Sequence, residues 1–207
     1  MNDDFDFAQY NQNFDHEFAD KHEWLDVHIN LLFNELKDIR IAVHIFNTVD
    51  KEWDRRVQEK DVPDYSIVRT TLYESLVYRV FLGLSKIFSD SKEYSLRKAT
   101  NQVEQIIRDN KNTGQVIAEV RQKLDNSVMV KVIREYRDKF FAHLDKKSAM
   151  SYVRIGFSSL MGYIDERELD EWLLLTRKLY QDCFGRELSY ESELPTKEDI
   201  IYTFFWR

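Results

Sequence analysis

Three properties of the chain predict an all-α fold, a helical bundle of long antiparallel helices with short extra ones. Helix breakers are scarce, with five glycines and two prolines in 207 residues. Apolar side chains recur at steps of three and four over long uninterrupted stretches, the spacing that collects them on one face of an α-helix. Residues suited to capping stand where those stretches begin and end. A chain of 207 residues is long enough for one sizeable core. Two small cores would need a linker, and there is no Gly- or Pro-rich linker, no low-complexity run and no internal repeat. The expectation is one helical domain over 1–207, with 1–14 a flexible lead-in and 188–207 a docking tail. The 43% hydrophobic, 32% charged and 14% aromatic shares describe a soluble chain with bulky side chains for its interior.

The first stretch, 15–60, contains neither Gly nor Pro. Trp24, Val27, His28, Leu31, Leu32, Leu36, Ile39 and Val43 recur along it at helical spacing, with a bend placed near Asn30 or Asn34. Pro63 ends it. Asp64 or Ser66 caps a second helix carrying Ile67, Leu72, Leu76, Val80, Leu84 and Phe88, which finishes near Ser89 and Asp90. A shorter helix starts near Ser95 and fades across 110–114. The next runs over 115–144, interrupted at 125–127. Residues 148–163 are ambiguous between a short extended piece in YVRIGF and a loop. The last clear helix covers 165–184, with Asp165 as its N-cap and Gly185 as its stop. Beyond Pro195 the segment IIYTFFWR is too apolar to leave in water. It docks on the core or lies in a subunit interface, and docking is favoured.

Several function classes are excluded. Cys183 is the single cysteine, so one chain can form neither an internal disulfide nor a thiolate metal cluster, which fits a reducing cytoplasm. The amino terminus, MNDDFDFAQYNQNFDHEF, lacks the basic and apolar segments of a secretory signal. No apolar run approaches the roughly 20 residues that span a bilayer. There is no HExxH pair, no glycine-rich phosphate loop and no nucleophile elbow. His16, His22 and His28 recur every six residues, which turns each about 120° from the last, so they cannot share a metal and read as surface histidines. Tyr73, Tyr78 and Phe81 read as core rather than as a base-stacking platform. No metal and no cofactor is expected.

The segment REYRDKFFAHLDKK, residues 134–147, carries the chemistry. Met129, Ile133, Tyr136, Phe140 and Leu144 form an apolar stripe. Measured from Phe140, Arg137 and His143 lie roughly 60° to either side, at the stripe's edges. Glu135, Asp138, Lys139 and Ala142 take the solvent side. Asp138 stands four residues after Arg134, a spacing that suits an ion pair between them. Histidine titrates near neutral pH and can take and return a proton. Arginine stays charged and presents a planar fork of donors to phosphate oxygens. The same spacing equally describes a hydrogen-bonded core histidine and an arginine whose stem lines the stripe while its head reaches water.

Arg137, Asp138, Lys139, Phe140, Phe141, Ala142, His143, Leu144 and Asp145 resemble the signature of the HEPN superfamily (higher eukaryotes and prokaryotes nucleotide-binding), in which an arginine and a polar residue precede a histidine by four to six positions. The Ala-His-Leu-Asp continuation, together with an upstream helix ending in LSKIFSD, looks like the AbiU-type abortive-infection branch. The likeness covers roughly 66–185. It implies a helical homodimer whose paired Arg and His residues face a shared cleft and cut RNA without metal, in proteins that often act as toxins or phage-defence effectors. By position, Arg137 and His143 match the catalytic pair and Asp138 the polar residue after the arginine. Where toxins paired with a nucleotidyltransferase antitoxin commonly carry a tyrosine two places after the histidine, this chain has Asp145, so regulation through such a tyrosine is not expected.

The formal charge of 30 minus 37, or -7, argues against a general nucleic-acid coat. Local charge differs. Lys131, Arg134, Arg137, Lys139, Lys146 and Lys147 outnumber Glu135, Asp138 and Asp145, which describes either a basic cleft or a solvated helix face. The sequence-level expectation is a cytoplasmic metal-independent endoribonuclease with Arg137, His143 and Asp138 as catalytic residues. Arg134, Lys139, Lys146 and Lys147 hold the RNA, and an antitoxin or defence-system partner is compatible with that role. The alternative is a non-catalytic helical module that binds a nucleotide, RNA or a partner protein and retains the Arg and His as remnants.

Overall fold

In the computed structural model the described residues are 21–61, 67–90, 94–106, 111–143, 160–188 and 194–205. They form seven helices and no strand, an all-α fold. These are α1 (Lys21–Gln58), α2 (Ile67–Ile87), α3 (Leu96–Ile106), α4 (Lys111–Asn126), α5 (Val128–His143), α6 (Glu166–Phe184) and α7 (Lys197–Phe205). The spine is α1, 38 residues and about 57 Å long. Helices α2, α3, α6 and α7 all pack on it, α4 packs on α3 and α6, and α5 joins α2 to α4.

The core side of α1 has an unusual rhythm for a globular helix. Leu25, Ile29, Leu32, Leu36, Ile39, Val43, Phe46 and Trp53 are all buried. They follow steps of four and three, with Asp50 filling the one gap. That is a heptad seam, which drifts about 20° per heptad on a straight helix, so the neighbours of α1 must follow the seam around it. Helices α2 and α6 run antiparallel to α1. Glu35 pairs with Arg79 of α2 while Phe46, further along, meets Tyr73. Against α6, Asp26 accepts from Tyr180 at 2.7 Å, whereas Arg40 reaches Asp170 at 2.8 Å and Glu166 at 2.6 Å. A single cluster of buried apolar side chains runs from Leu25 to Leu188.

Local signals explain the element ends. Asp165 caps α6, its carboxylate accepting from the Arg167 amide at 2.8 Å. Gly185 closes it in the left-handed region at φ 65°. Ser95 caps α3 by accepting from the Lys98 amide at 3.2 Å. At Gly83 the absence of a side chain lets α2 approach α1, because an added Cβ would lie 2.6 Å from the Ile39 Cδ1 atom. Residues 200–205 belong to α7, which docks on α1 through buried Ile200 and a Phe205 ring 5.6 Å from Trp53. Arg56 stands over the same Phe205 ring at 4.8 Å.

Four expectations need correction. The buried line of α1 runs through Leu25 and Ile29 rather than Trp24 and Val27, and Leu31 is 47% exposed. Apolar residues occupy several faces of WLDVHINLLF, and the partner helices select one of them. The helix is continuous at Asn30 and Asn34. Gly114 lies inside α4 rather than in a fading helix end, and α3 is described as far as Ile106. The interruption expected at 125–127 is present, by contrast, as a break at Ser127, whose hydroxyl caps α5 by accepting from the Val130 amide at 3.0 Å. The expectations for 1–14, for the cap at Asp64 or Ser66 and for 148–159 lie outside the described residues. No helix among the described residues is long and apolar enough to cross a membrane.

The fourth correction is His28, expected at the surface and found 1% exposed. Trp24 meets its ring edge-on at 4.6 Å and Tyr94 at 5.4 Å, while Nδ1 stands 3.3 Å from the Gln102 Oε1 atom of α3. Burial depresses its pKa from 6.5 to about 4, against an opposing hydrogen bond to the Gln102 oxygen, and Lys98 lowers it further. The folded chain therefore keeps His28 neutral where the unfolded chain takes up a proton. Stability present above pH 6.5 should fall by about 3 kcal/mol as pH drops through 6.5 towards 4. Urea unfolding at pH 7, 5.5 and 4.5 measures this slope. His28→Leu should flatten it, and an unchanged slope would show that His28 is not its source.

Candidate functional site

The site is built where α5 crosses the carboxyl end of α2. Met129, Val130 and Ile133 bury one face of α5, and Tyr136 packs partly on the same core. Arg134 and Arg137 stand one turn apart on the adjoining edge, one and two turns beyond Val130. That edge meets Phe88, Ser89 and Asp90. The last carbonyls of a helix have no intrahelical donor and carry partial negative charge, so cations collect there.

Arg134 supplies both services. Its Nε donates to the Phe88 carbonyl at 2.9 Å and its Nη2 to the Asp90 carboxylate at 2.8 Å. Arg97 of α3 reaches the same Asp90 oxygen at 3.4 Å and also pairs with Asp125 at the end of α4. The tip of α2 is thereby tied to α3, α4 and α5 at once.

Arg137 is held differently. Its Nη1 donates to the Ser89 hydroxyl at 3.1 Å, while Nε and Nη2 both donate to one carboxylate oxygen of Asp138, at 2.9 and 2.8 Å. Ser89 is fully buried, the Arg137 side chain is 19% exposed and that of Asp138 is 68% exposed. The guanidinium thus sits between a fixed neutral acceptor on the protein side and a solvated carboxylate on the water side. Asp138 pairs with its neighbour Arg137 and not with Arg134, as the i, i+4 spacing suggested. Asp90 and the Phe88 carbonyl, both just beyond α2, have already drawn Arg134 away.

The expected site residues divide accordingly. Arg134, Arg137 and Asp138 are brought together at the α2 tip. His143 is the last described residue of α5, about 9 Å further along the helix axis from Arg137. The side chains of His143 and Lys139, together with Lys146 and Lys147, lie outside the described residues. In the described part of the cluster Arg97, Arg134 and Arg137 are matched by Asp90, Asp125 and Asp138. Basic excess at this site, if it is to attract RNA, rests on the lysines. Ser89 and Asp90 were missed as site residues. LSKIFSD was the available signal, but nothing in the sequence shows which residue of a helix end faces an arginine 48 positions later.

Elsewhere, a cavity of about 220 Å³ is lined by Lys21, Trp24, Gln102 and Gln105, and one of about 430 Å³ by Glu119, Gln122, Lys123, Asn126, Glu171, Leu174 and Leu175. Neither is lined by Arg137 or Ser89. Among the described residues no group of three or more His, Cys, Asp or Glu side chains is placed to hold a metal ion. In comparisons with known proteins the chain matches no family model, no curated protein and no solved structure.

Arg134→Ala removes the donor to the Phe88 carbonyl and the partner of Asp90, and should cost about 1 to 3 kcal/mol in urea unfolding. A loss below about 0.5 kcal/mol would mean that the α2 tip is held without it.

Proposed function

We propose that the chain is a metal-independent endoribonuclease of the HEPN type, acting as a toxin or phage-defence effector. The observation that carries the proposal is the mounting of Arg137. It is anchored at one nitrogen by buried Ser89, partly open to water, and placed on the same helix as His143. In this reading Arg137 binds the scissile phosphate and stabilises the charge that develops on it. His143 takes the proton from the ribose 2'-hydroxyl or protonates the departing 5'-oxygen. Attack by the 2'-oxygen leaves a 2',3'-cyclic phosphate. Lys139, Lys146 and Lys147 steer the RNA backbone, and Asp138 gives up its hold on Arg137 when phosphate arrives. Arg134, assigned to RNA in the sequence, is engaged with α2 and acts as a brace.

A second reading has an observation of its own. Each arginine at the α2 tip already faces a carboxylate, as in a structural junction. A helical module that binds a nucleotide, RNA or a protein without cutting is the competing account.

Cleavage of single-stranded RNA should persist in EDTA, and His143→Ala and Arg137→Ala should each lower it by about a hundredfold or more. Full activity in either variant removes the mechanism. Loss of activity on chelation of the parent chain points to a metal-dependent one instead.

The same reading includes a homodimer whose cleft combines both chains. One Arg and one His make a sparse site for phosphoryl chemistry, and a two-fold interface doubles it. Light scattering at micromolar concentration should give twice the 25.0 kDa chain mass. Mixing inactive Arg137→Ala and His143→Ala chains should restore part of the activity. A fully active monomer would exclude the shared cleft.

A further inference from the structure

We infer that Ser89 is a positioning residue for Arg137 and that the tip of α2 is therefore a second element of the active site. The inference deepens the ribonuclease reading and rests on it. Among the described residues, the bond to Ser89 is the one hydrogen bond that ties the Arg137 guanidinium to another helix, across 48 positions of sequence. Asp138 is the adjacent residue on α5 itself and largely in water, so it cannot fix the fork relative to the rest of the fold.

Ser89 can. Its side chain is fully buried, so its place is set by packing and not by solvent. Its backbone follows directly on α2, with the Phe88 amide donating to the Leu84 carbonyl at 2.9 Å and the Ser89 amide to that of Lys86 at 3.4 Å. One turn earlier on α5, Arg134 grips the residues on both sides of Ser89, the Phe88 carbonyl and the Asp90 carboxylate. The distance between the α2 tip and α5 is thus held at the level of Arg134 and used at the level of Arg137.

The chemistry of the anchor matters as much as its rigidity. A hydroxyl fixes a guanidinium without neutralising it, whereas a buried carboxylate at the same place would compete with phosphate for the charge. A guanidinium has five N–H donors. Ser89 takes one from Nη1, and Asp138 takes the one on Nε and one from Nη2. One N–H on each of Nη1 and Nη2 is left for phosphate oxygens even before Asp138 moves away. A serine at this position aims the fork and leaves its charge intact.

The test uses the full chain, Ser89→Ala, Ser89→Thr and the double variant Ser89→Ala with Arg137→Ala. The first measurement needs no activity. The Nε–Hε signal of Arg137, identified by its loss in Arg137→Lys, should move in Ser89→Ala and return to its parental position in Ser89→Thr. The second is cleavage of a labelled single-stranded RNA in EDTA. Ser89→Ala should lower kcat about tenfold with KM within about twofold, and the double variant should be no worse than Arg137→Ala alone. A signal that stays put in Ser89→Ala, or a double variant in which the two losses multiply, overturns the inference. A parent chain that cuts no RNA while Ser89→Ala still moves the signal overturns the ribonuclease reading and upholds the Ser89 contact as what orients Arg137.

Discussion

Everything in this molecule is arranged around the need to cover one long helix. The heptad seam of α1, from Leu25 to Trp53, drifts around the helix axis, so no single flat partner can bury it. The chain meets that constraint with four helices placed along and around α1, namely α2, α3, α6 and α7. Polar side chains that fall on the buried side are accommodated one by one. Arg40 pairs with Glu166 and Asp170, His28 stays neutral beside Gln102, and Glu52 is held ionised with its pKa drawn down to about 2, mainly by the Arg55 hydrogen bond. Each is tolerated because a partner or a shifted protonation state removes the cost of a buried bare charge.

The candidate site follows from the same constraint. Once α2 is laid antiparallel along α1, with Gly83 allowing close approach, its carboxyl end at Phe88 to Asp90 is brought to α5. The Phe88 carbonyl there accepts from Arg134, which joins α5 to the end of α2. Arg137 arrives one turn later against Ser89. A feature that first satisfies a helix end thereby also places a guanidinium at the edge of water with a defined orientation. In the proposed ribonuclease stability and function meet in one junction, Arg134 closing the helix end and Arg137 facing outwards.

The sequence disclosed features fixed by local chemistry. Asp165 and Gly185 could be named as caps because capping needs only the residue and its own helix. The stripe through Met129 and Ile133 was readable for the same reason. Features decided by a distant competitor were not readable. The i, i+4 spacing of Arg134 and Asp138 was correct as arithmetic, yet Asp90, 44 positions away, takes Arg134. His28 looked like one of three surface histidines because Gln102, on a helix 74 residues later, could not be foreseen beside it. Trp24, Val27 and Leu31 made as good an apolar line as Leu25 and Ile29 until partners chose between them. Ser89 was invisible as a site residue because its bond to Arg137 spans 48 positions.

The central claim is that Arg137, aimed from the α2 tip, serves a reaction in which the RNA attacks itself. The most direct measurement is mass spectrometry of the ends produced from two oligonucleotides of the same sequence, one RNA and one fully 2'-O-methylated. The account predicts 2',3'-cyclic phosphate and 5'-hydroxyl ends from the RNA and no cutting of the methylated strand. Products ending in 3'-hydroxyl and 5'-phosphate, or cleavage of the strand that lacks free 2'-hydroxyls, would contradict it.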